Sequence, residues 1–324
     1  MWIDILWLVA GLVLILGGAN FLTDGASAIA KKFGISDLVI GLTVVAFGTS
    51  APELAISIMA AARGSAPLAV GNVVGSNIFN ILVIIGITAL VRPIVVKNSV
   101  MTTEIPMVIL SSVILLAIGY TSVLDGTPDI VSRVEGILLI IFFILFMRYT
   151  FATARHKDPG STDPVESKSN SLKLNMLRSV VYLFGGLAAL IWGGDRFVDG
   201  ATGIARFMGV SDAVIGLTIV AMGTSLPELA TSIVAALKNE PGLAIGNVIG
   251  SNIFNVLLVL GSAAIVCPLP FDGITHLDLW VLTIASLLFF LFGWRFRRRK
   301  ITRLEGAILA ACYLAYTVWL VATV

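Results

Sequence analysis

The sequence predicts an all-α polytopic membrane protein, with ten transmembrane helices in two inverted five-helix repeats and with broken core helices. Three observations predict this fold: the composition, ten apolar runs of membrane-spanning length, and an internal repeat. Of the 324 residues, 58% are apolar and only 12% are charged, and the mean hydropathy is +1.01. A soluble globular domain of this size does not have such a composition.

The apolar runs have the length that crosses the hydrocarbon core of a bilayer, roughly 17 to 25 residues, and several are interrupted by Gly, Pro or polar residues. They occupy residues 3–23, 36–62, 66–91, 101–120, 130–151, 179–199, 211–237, 241–266, 276–294 and 304–323. No Lys or Arg precedes the first run, and no cleavage site follows it, so we expect a retained helix and not a signal peptide. The two cysteines, Cys267 and Cys312, form no motif and are interpreted as small packing residues.

The basic residues indicate how these helices are oriented, because Lys and Arg concentrate in cytoplasmic loops. With ten helices and the N-terminus outside, seventeen of the 21 Lys and Arg residues fall on one side. This distribution predicts that both termini lie outside. The run RFRRRK, residues 295–300, directly follows an apolar helix and is interpreted as a topogenic cluster, not a nucleic-acid site. The short linker and the lack of a signal peptide favour the plasma (inner) membrane of a prokaryote.

One half of the chain is a copy of the other. Residues 34–57 match residues 209–232 at 18 of 24 positions without a gap, and GNVVGSNIFN at 71–80 matches GNVIGSNIFN at 246–255 at nine of ten. The offset of 175 also relates TDGA at 23–26 to VDGA at 198–201. Because each half holds five helices, an odd number, the second copy enters the membrane with the opposite orientation. Inverted repeats are typical of secondary transporters, whose substrate sites lie near the midplane where the repeats meet.

The repeat predicts the domain organisation. Residues 1–153 form the first five-helix repeat, 154–176 a cytoplasmic linker, and 177–324 the second, inverted repeat. The linker segment is polar and rich in Ser, Pro and charge, which is typical of a flexible connection.

Each repeat places a proline and a glutamate inside an apolar segment, GTSAPELAISI at 48–58 and GTSLPELATSI at 223–233. A carboxylate at membrane depth costs from about 2.5 to above 10 kcal/mol, so it needs a cavity, a cation or a proton beside it. Glu53 and Glu228 are therefore candidate cation ligands. The prolines lack an N–H, which frees carbonyls one turn earlier, and carbonyl, hydroxyl and carboxylate oxygens make the shell that Ca²⁺ prefers.

Helical spacing gathers further oxygen donors. Hydroxyl groups lie three and four residues before each glutamate on the same face, and amides and hydroxyls recur at i, i+4 and i+8 on the partner helices. These residues are Thr49, Ser50, Thr224 and Ser225, and on the partner helices Asn72, Ser76, Asn80, Asn247, Ser251 and Asn255. Small-xxx-small spacings of Gly71, Gly75, Gly246 and Gly250 predict close helix packing that brings the motifs together.

Other chemistries fit this pattern less well. An intramembrane serine protease needs a base, and the only histidines are His156 in the linker and His276 at a helix end. A transition-metal site calls for His or Cys ligands, which the polar stripes lack. The predicted site is all oxygen, which suits Ca²⁺, Na⁺, Mg²⁺ or protons. Four polar residues are interpreted as end-of-helix residues and not as ligands: Asn20, Asp24, Asp195 and Asp199.

At GTSAPE, GNVVGSNIFN and their second copies, the chain resembles the cation/calcium exchanger superfamily, specifically its prokaryotic sodium/calcium exchanger branch. The resemblance is strongest over residues 36–94 and 211–269. It implies a central core made by the motif-bearing helices, across which the first and sixth helices slide to alternate access. The ligands that it implies are Thr49, Ser50, Glu53, Ser76, Asn80, Thr224, Ser225, Glu228, Ser251 and Asn255, with the main-chain carbonyls of Ala46 and Ala221.

Some relatives carry Asp where this chain has Asn80 or Asn255, including exchangers that co-transport K⁺. Both positions are Asn here, so the site holds two formal negative charges, enough to balance one Ca²⁺. The resemblance therefore favours K⁺-independent exchange.

Our leading hypothesis is a secondary active antiporter that extrudes Ca²⁺ in exchange for several Na⁺. It predicts no enzyme activity, no cofactor, no nucleic acid and no obligate protein partner, with Ca²⁺, Na⁺ and the lipid bilayer as the partners. The nearest alternative is a Ca²⁺/H⁺ antiporter of the same fold, because buried glutamates can also carry protons. A passive cation channel and an intramembrane enzyme are the more distant alternatives.

Overall fold

A computed structural model describes residues 2–155, 175–209, 221–294 and 299–323. Helices dominate these residues. Their bounds are α1 Trp2–Phe33, α2 Asp37–Thr49, α3 Ala51–Ala62, α4 Ala66–Val91, α5 Val100–Ile118, α6 Thr121–Leu124, α7 Arg133–Arg155, α8 Met176–Phe207, α9 Ala221–Gly223, α10 Leu226–Leu237, α11 Pro241–Val266, α12 His276–Trp294 and α13 Arg303–Thr323. The predicted linker falls largely on residues 156–174, outside the described residues, and the proposed domain boundaries remain predictions.

The described helices follow the ten predicted runs and form a ten-helix membrane fold of two inverted repeats. Seven of them are long and apolar enough to cross a membrane, and α2 and α3 together form an eighth, bent span. The two remaining runs correspond to the shorter apolar helix α10, whose predicted first half lies outside the described residues, and to the 21-residue helix α13.

The core helices are broken where the sequence predicts it. α2 and α3 meet at an angle of 45°, with Ser50 between them in a conformation that is not helical. Pro52 lies in the first turn of α3, and Pro227 lies in the first turn of α10. Proline is well placed there, because a first-turn N–H has no helical partner in any case. The prolines thus begin new helices and do not kink continuous ones.

Two helices form the centre of the molecule. The most apolar windows of α4 and α11 are each 83% buried, whereas those of α1 and α8 are 28% buried. Both central helices contain a π-helical turn, at Asn80–Ile84 in α4 and at Asn255–Leu260 in α11. Such turns occur frequently at functional sites. Asn80 and Asn255 therefore stand where the helical hydrogen bonding changes.

The helices α1 and α8 pack against each other in antiparallel fashion and very closely. A Cβ atom added to Gly11 would lie 2.7 Å from the carbonyl oxygen of Gly193, and one added to Gly25 would lie 2.7 Å from that of Ser179. Only glycine permits this approach. The end of α1 thus lies beside the start of α8, and we call this side of the molecule, where α7 ends and α8 begins, the linker side.

The long helices correct one prediction from the sequence. Each of α1 and α8 contains 32 residues, whereas the apolar runs ended near residues 23 and 199. The four polar residues interpreted as helix ends lie inside these helices: Asn20, Asp24, Asp195 and Asp199. The apolar runs stopped at charged residues, but a helix continues past a charge that finds a partner or water.

Two short antiparallel strand pairs, which the all-α prediction did not include, join the repeats. β1 (Ile94–Val95) pairs with β4 (Lys300–Ile301), and β2 (Ile130–Val131) pairs with β3 (Leu269–Pro270). Each strand has two residues and follows or precedes a membrane helix, so the pairs fasten loops and do not form a sheet.

Candidate cation-binding site

The two predicted carboxylates are buried at the starts of two helices. Glu53 lies in the first turn of α3 and Glu228 in the first turn of α10, and each is only 1% exposed. A helix N-terminus favours negative charge, because its first N–H groups point towards it. This placement lowers the cost of a buried carboxylate without neutralising it.

Each carboxylate receives a hydrogen bond from the opposite repeat. Ser50 Oγ donates to Glu228 Oε1 at 3.1 Å, and Ser225 Oγ donates to Glu53 Oε1 at 3.5 Å. Ser251 Oγ, from the same repeat as Glu228, donates to the same Oε1 at 3.4 Å. The two glutamates therefore lie at the junction of the repeats, and each half of the chain completes the surroundings of the other half's carboxylate.

Several buried oxygen atoms of the candidate ligands have no hydrogen-bond partner within the described part of the chain. A buried oxygen left unpaired costs about 1–3 kcal/mol, and more when it is charged. Together they offer carboxylate, hydroxyl and amide oxygens, the donor types of a hard cation such as Ca²⁺ or Na⁺. These atoms are Oε2 of Glu53 and of Glu228, Oγ of Ser76, and Oδ1 of Asn80 and of Asn255.

The threonines and carbonyls of the predicted set lie on the broken segments. Thr49 is fully buried at the end of α2, and its hydroxyl lies 3.4 Å from the carbonyl oxygen of Ala46. That carbonyl also accepts the N–H of Ser50 at 2.9 Å. Thr224 is half-buried and lies within hydrogen-bonding reach of the Glu53 carboxyl. Ala221 is the first residue of α9.

Two asparagines of the polar stripes have a different place from the one expected. Asn72 Nδ2 donates to the carbonyl oxygen of Glu53 at 3.3 Å and to Ser57 Oγ at 2.9 Å. Asn247 Nδ2 donates in the same way to the carbonyl of Glu228 at 3.3 Å and to Ser232 Oγ at 3.1 Å. Their amides thus hold the main chain of the site glutamates.

Ser57 and Ser232 were not among the predicted site residues. A signal was present, because both follow their glutamate by four residues at the same repeat offset. Asn77 and Asn252 were missed in the same way. Asn255 Nδ2 donates to Asn77 Oδ1 at 3.1 Å, and Asn77 Nδ2 donates to the carbonyl of Asn252 at 3.3 Å, which ties α4 to α11 at the centre.

The predicted close approach of glycines is present on α11. A Cβ atom on Gly246 would lie 2.6 Å from the carbonyl oxygen of Leu38, and one on Gly250 would lie 2.6 Å from Cβ of Ala46. This contact joins α2 of the first repeat to α11 of the second. The segment that repeat symmetry would place against Gly71 and Gly75, residues 210–220, lies outside the described residues.

Comparison with known proteins assigns the chain to a family. A family model described as "Sodium/calcium exchanger protein" matches residues 3–152 and 178–322, nearly the whole chain. The chain belongs to the sodium/calcium exchanger protein family. The family is described as one of exchangers, so a transport interpretation of the site agrees with the family and an enzymatic one does not.

Relatives of this exchanger family match along the entire chain. CaxA of Alkalimonas amylolytica, named as a candidate antiporter, is 40% identical over 321 residues, which cover 98% of both chains. The sodium/calcium exchanger MaX1 of Methanosarcina acetivorans is 32% identical and also covers 98% of both. A solved structure of the sodium-calcium exchanger NCX_Mj has a TM-score of 0.83 at 34% identity, again covering 98% of both chains.

A cavity reaches the candidate site of this exchanger-family chain from the side opposite the linker side. Its volume is about 240 Å³. Its lining includes Pro52, Thr224 and Pro227, which belong to or adjoin the site, and Asp195 and Asp199 of α8. Asp199 is paired with Arg196 at 3.2 Å. The cavity therefore lies between α8 and the broken helices and has carboxylates in its lining.

The remaining histidine candidate does not form a catalytic triad. His276 lies 3.3 Å from Asp129 Oδ2, and Ser122 Oγ donates to the same oxygen at 2.6 Å. Serine and histidine thus both bind the aspartate, whereas a triad needs histidine between the two. Desolvation opposes the charge on Asp129, but the hydrogen bonds from Ser122, His276 and Thr121 outweigh it and lower the pKa of that carboxyl to about 2. His156 lies outside the described residues.

Proposed function

We propose that this chain is a secondary active antiporter that exchanges Na⁺ for Ca²⁺ at a single site formed by Glu53 and Glu228 with the neighbouring oxygen donors. The observation that carries the proposal is the junction itself: two buried carboxylates, each hydrogen-bonded by a serine of the opposite repeat, with unpaired carboxylate, hydroxyl and amide oxygens around them. The names of MaX1 and NCX_Mj support the same ions.

The proposed ligands are those that the resemblance implies. They fall into three kinds: carboxylates, side-chain hydroxyl and amide groups, and main-chain carbonyls. The full set is Glu53, Glu228, Thr49, Ser50, Ser76, Asn80, Thr224, Ser225, Ser251 and Asn255, with the carbonyls of Ala46 and Ala221. Within the described residues no group of three or more His, Cys, Asp or Glu side chains is close enough to hold a metal ion. The two glutamates thus supply the formal charge.

Two negative charges explain how exchange can be coupled. One Ca²⁺ neutralises both glutamates, and two or more Na⁺ can do so in its place. A site left empty carries two uncompensated carboxylates across the membrane interior, which is costly. The protein therefore crosses between its two states only when the site is filled, and the ions exclude each other because they share ligands. Exchange of more than two Na⁺ for each Ca²⁺ moves net charge and is electrogenic.

The two sides of the structure support alternating access. A cavity approaches the site beside α8 on one side, whereas on the linker side Ser27 and Asp24 of α1 contact Glu240 and Lys238. With the linker on the cytoplasmic side, as the basic residues favour, this state opens to the outside and both termini lie outside. We place the protein in the plasma membrane of a prokaryote, where an inward Na⁺ gradient extrudes Ca²⁺ without a cofactor or an obligate protein partner.

The experiment is radiolabelled Ca²⁺ uptake into proteoliposomes loaded with Na⁺ and diluted into Na⁺-free buffer at clamped pH. We expect uptake that depends on the Na⁺ gradient and is abolished in Glu53→Gln and in Glu228→Gln. Glu104→Gln is the matched control, because Glu104 is a buried carboxylate of α5, 7% exposed, that contributes no ligand to the site. This control should retain uptake.

Two further arms separate the alternatives. Uptake driven by a proton gradient and indifferent to Na⁺ would identify a Ca²⁺/H⁺ antiporter, and Ca²⁺ flux without any counter-ion would identify a channel. Full Na⁺-driven activity in either glutamine variant would show that the assigned carboxylates are not the site.

A further inference from the structure

Asn247 makes three side-chain hydrogen bonds, and two of them are to residues of the candidate site. It lies on α11 and is fully buried. Its Nδ2 donates to the carbonyl of Glu228 and to Ser232 Oγ. Its Oδ1 accepts a hydrogen bond of 3.1 Å from Thr49 Oγ1, on α2 of the other repeat. One amide therefore links the glutamate of one half to the threonine of the other.

The donors and acceptors fix the orientation of this amide. The carbonyl of Glu228 can only accept, so the NH₂ group must face it, and a flipped amide would set two oxygen atoms against each other. With Nδ2 placed in this way, Oδ1 faces Thr49. A threonine hydroxyl has a single proton to donate. Asn247 Oδ1 at 3.1 Å is a better-placed acceptor than the carbonyl of Ala46 at 3.4 Å, and it competes for that proton with the Glu228 carboxyl, which is also within hydrogen-bonding reach.

The consequence concerns the lone pairs of Thr49. Its hydroxyl lies next to the Glu228 carboxyl and could donate to that carboxylate, which would turn its proton towards the site. When Asn247 Oδ1 accepts the proton, the hydroxyl presents its lone pairs to the site, as a cation ligand must. The direction of one hydrogen bond thus decides whether Thr49 competes with a cation or binds it.

The first repeat contains the same arrangement around its own glutamate. Asn72 Nδ2 donates to the carbonyl of Glu53 and to Ser57 Oγ, as Asn247 does to Glu228 and Ser232, at the offset of 175 residues. Two copies of the amide contact, each with a glutamate carbonyl and a serine hydroxyl as acceptors, indicate that it belongs to the repeated site and is not a local packing accident.

We propose that Asn247 is a positioning residue that aims the Thr49 hydroxyl and holds the Glu228 carbonyl, and that it sets the affinity for the transported cation without being a ligand. Asn72 holds Glu53 in the corresponding way. The proposal rests on the proposed function in one respect only, since it takes the junction to be a cation site.

A double-mutant cycle tests the proposal. The variants are Asn247→Ala, Thr49→Val and the two combined, and the readouts are the Ca²⁺ concentration for half-maximal stabilisation in detergent and the melting temperature without Ca²⁺. We expect Asn247→Ala to raise the half-maximal Ca²⁺ concentration about tenfold, as the loss of an outer partner of a metal ligand does. In the Thr49→Val background the same change should have a much smaller effect.

Two further variants keep the test decisive. Ser232→Ala leaves Asn247 in place but removes one acceptor of its amide, so it should fold and shift the Ca²⁺ affinity in the same direction by a smaller factor. Ser286→Ala removes a buried hydrogen bond of 2.8 Å to Ser112 that is not part of the site. It should change the melting temperature and leave the Ca²⁺ affinity unaltered.

The outcomes separate this proposal from the proposed function. Additive effects of Asn247→Ala and Thr49→Val, or a lower melting temperature with unchanged Ca²⁺ affinity, would show that Asn247 is merely structural. Because Ca²⁺ binding is measured in detergent, the positioning role can be decided even if no ion gradient drives uptake. Absence of any Ca²⁺ stabilisation in the wild-type protein would overturn both.

Discussion

Ser27 of α1 donates a hydrogen bond of 2.6 Å to Oε1 of Glu240, which precedes α11. One turn earlier on α1, Asp24 pairs with Lys238 Nζ at 2.8 Å, and Lys238 also donates to the carbonyl of Asn20 at 3.0 Å. These contacts fasten a peripheral helix to the core on the linker side. They lie on the side away from the cavity that reaches the candidate site, as a closed access path requires.

The first prediction concerns Glu240, which is 4% exposed. Burial raises the pKa of its carboxyl from 4.5 to about 7, and the charge of Asp37 adds to this, while the hydrogen bond from Ser27 and the charges of Lys31 and Lys238 partly offset it. The stability that this neutral carboxyl contributes is fully present below pH 4.5 and is lost as the pH rises through about 7.

Glu240→Gln should therefore be more stable than the wild-type protein above pH 7, because the amide is never charged. At pH 5 the two proteins should melt at nearly the same temperature. Melting temperatures in detergent from pH 5 to 8 measure the difference, and Asp125→Asn, at an exposed loop position, is the control, for which we expect a flat difference. A constant difference for Glu240→Gln across this range would contradict the prediction.

The second prediction uses the repeat to identify the contact that should replace the Asp24–Lys238 pair in the opposite access state of the transporter. At the offset of 175, Asp24 corresponds to Asp199 and Lys238 to Arg63. In this structure Asp199 pairs with Arg196 of its own helix, and Arg63 is exposed. If the halves exchange roles during transport, Arg63 approaches Asp199 when Lys238 leaves Asp24.

Paired cysteines can trap the two contacts in a background without Cys267 and Cys312. Asp24→Cys with Lys238→Cys should be cross-linked by a short bifunctional thiol reagent at rest. Arg63→Cys with Asp199→Cys should be cross-linked only when Na⁺ and Ca²⁺ gradients drive turnover. Each cross-link should stop uptake, with recovery after the reagent is cleaved. A pair at 63 and 199 that never reacts during turnover would exclude this exchange of contacts.

Sequence reasoning found the elements whose boundaries coincide with a change from apolar to helix-ending residues. The run 241–266 matches α11 at both ends, because Pro241 begins the helix and an extended Cys267 follows it. The same reasoning ended α1 too early, since it stopped at Asp24. The partner that retains Asp24 inside a helix, Lys238, is 214 residues away in the chain, and no local pattern points to it.

The same distinction holds for the candidate site: the repeated sequence pattern identified the residues, but their contacts are seen only in the structure. Duplication singled out Glu53 and Glu228, and the structure brings each to a serine of the other repeat. The stripe at i, i+4 and i+8 assigned Asn247 the same face as Ser251 and Asn255, but not its partners. Whether an amide faces a cation or a main-chain carbonyl depends on a neighbouring helix, which the spacing along one helix does not specify.

The third prediction tests the contact between the repeats. Ser50→Ala removes the hydrogen bond of 3.1 Å to Glu228 together with a candidate ligand, so the half-saturating Ca²⁺ concentration for uptake should rise about tenfold or more. Ser50→Thr keeps the hydroxyl and should recover most of the affinity. Ser111→Ala is the control, because within the described part of the chain this buried serine donates to the carbonyl of Val108 on its own helix. Equal Ca²⁺ affinity in Ser50→Ala and the control would contradict a role for the serine.

The last prediction concerns the close contact of α2 with α11 at Gly250. A Cβ atom there would lie 2.6 Å from Cβ of Ala46 and 2.8 Å from the carbonyl oxygen of Leu42. Gly250→Val must therefore separate the two helices, and overpacking of this kind costs about 1–3 kcal/mol.

The Gly250→Val variant should lose Ca²⁺ affinity as well as thermal stability. Thr49 and Ser50 follow Ala46 closely, and Ser251 is the residue after Gly250, so the separation of the helices also displaces candidate ligands. Gly17→Val is the matched control, since among the described residues no heavy atom outside the nearby backbone of its own helix comes within 4 Å of a Cβ at that position. A Gly250→Val protein with wild-type Ca²⁺ affinity would show that the spacing of these helices does not set the geometry of the site.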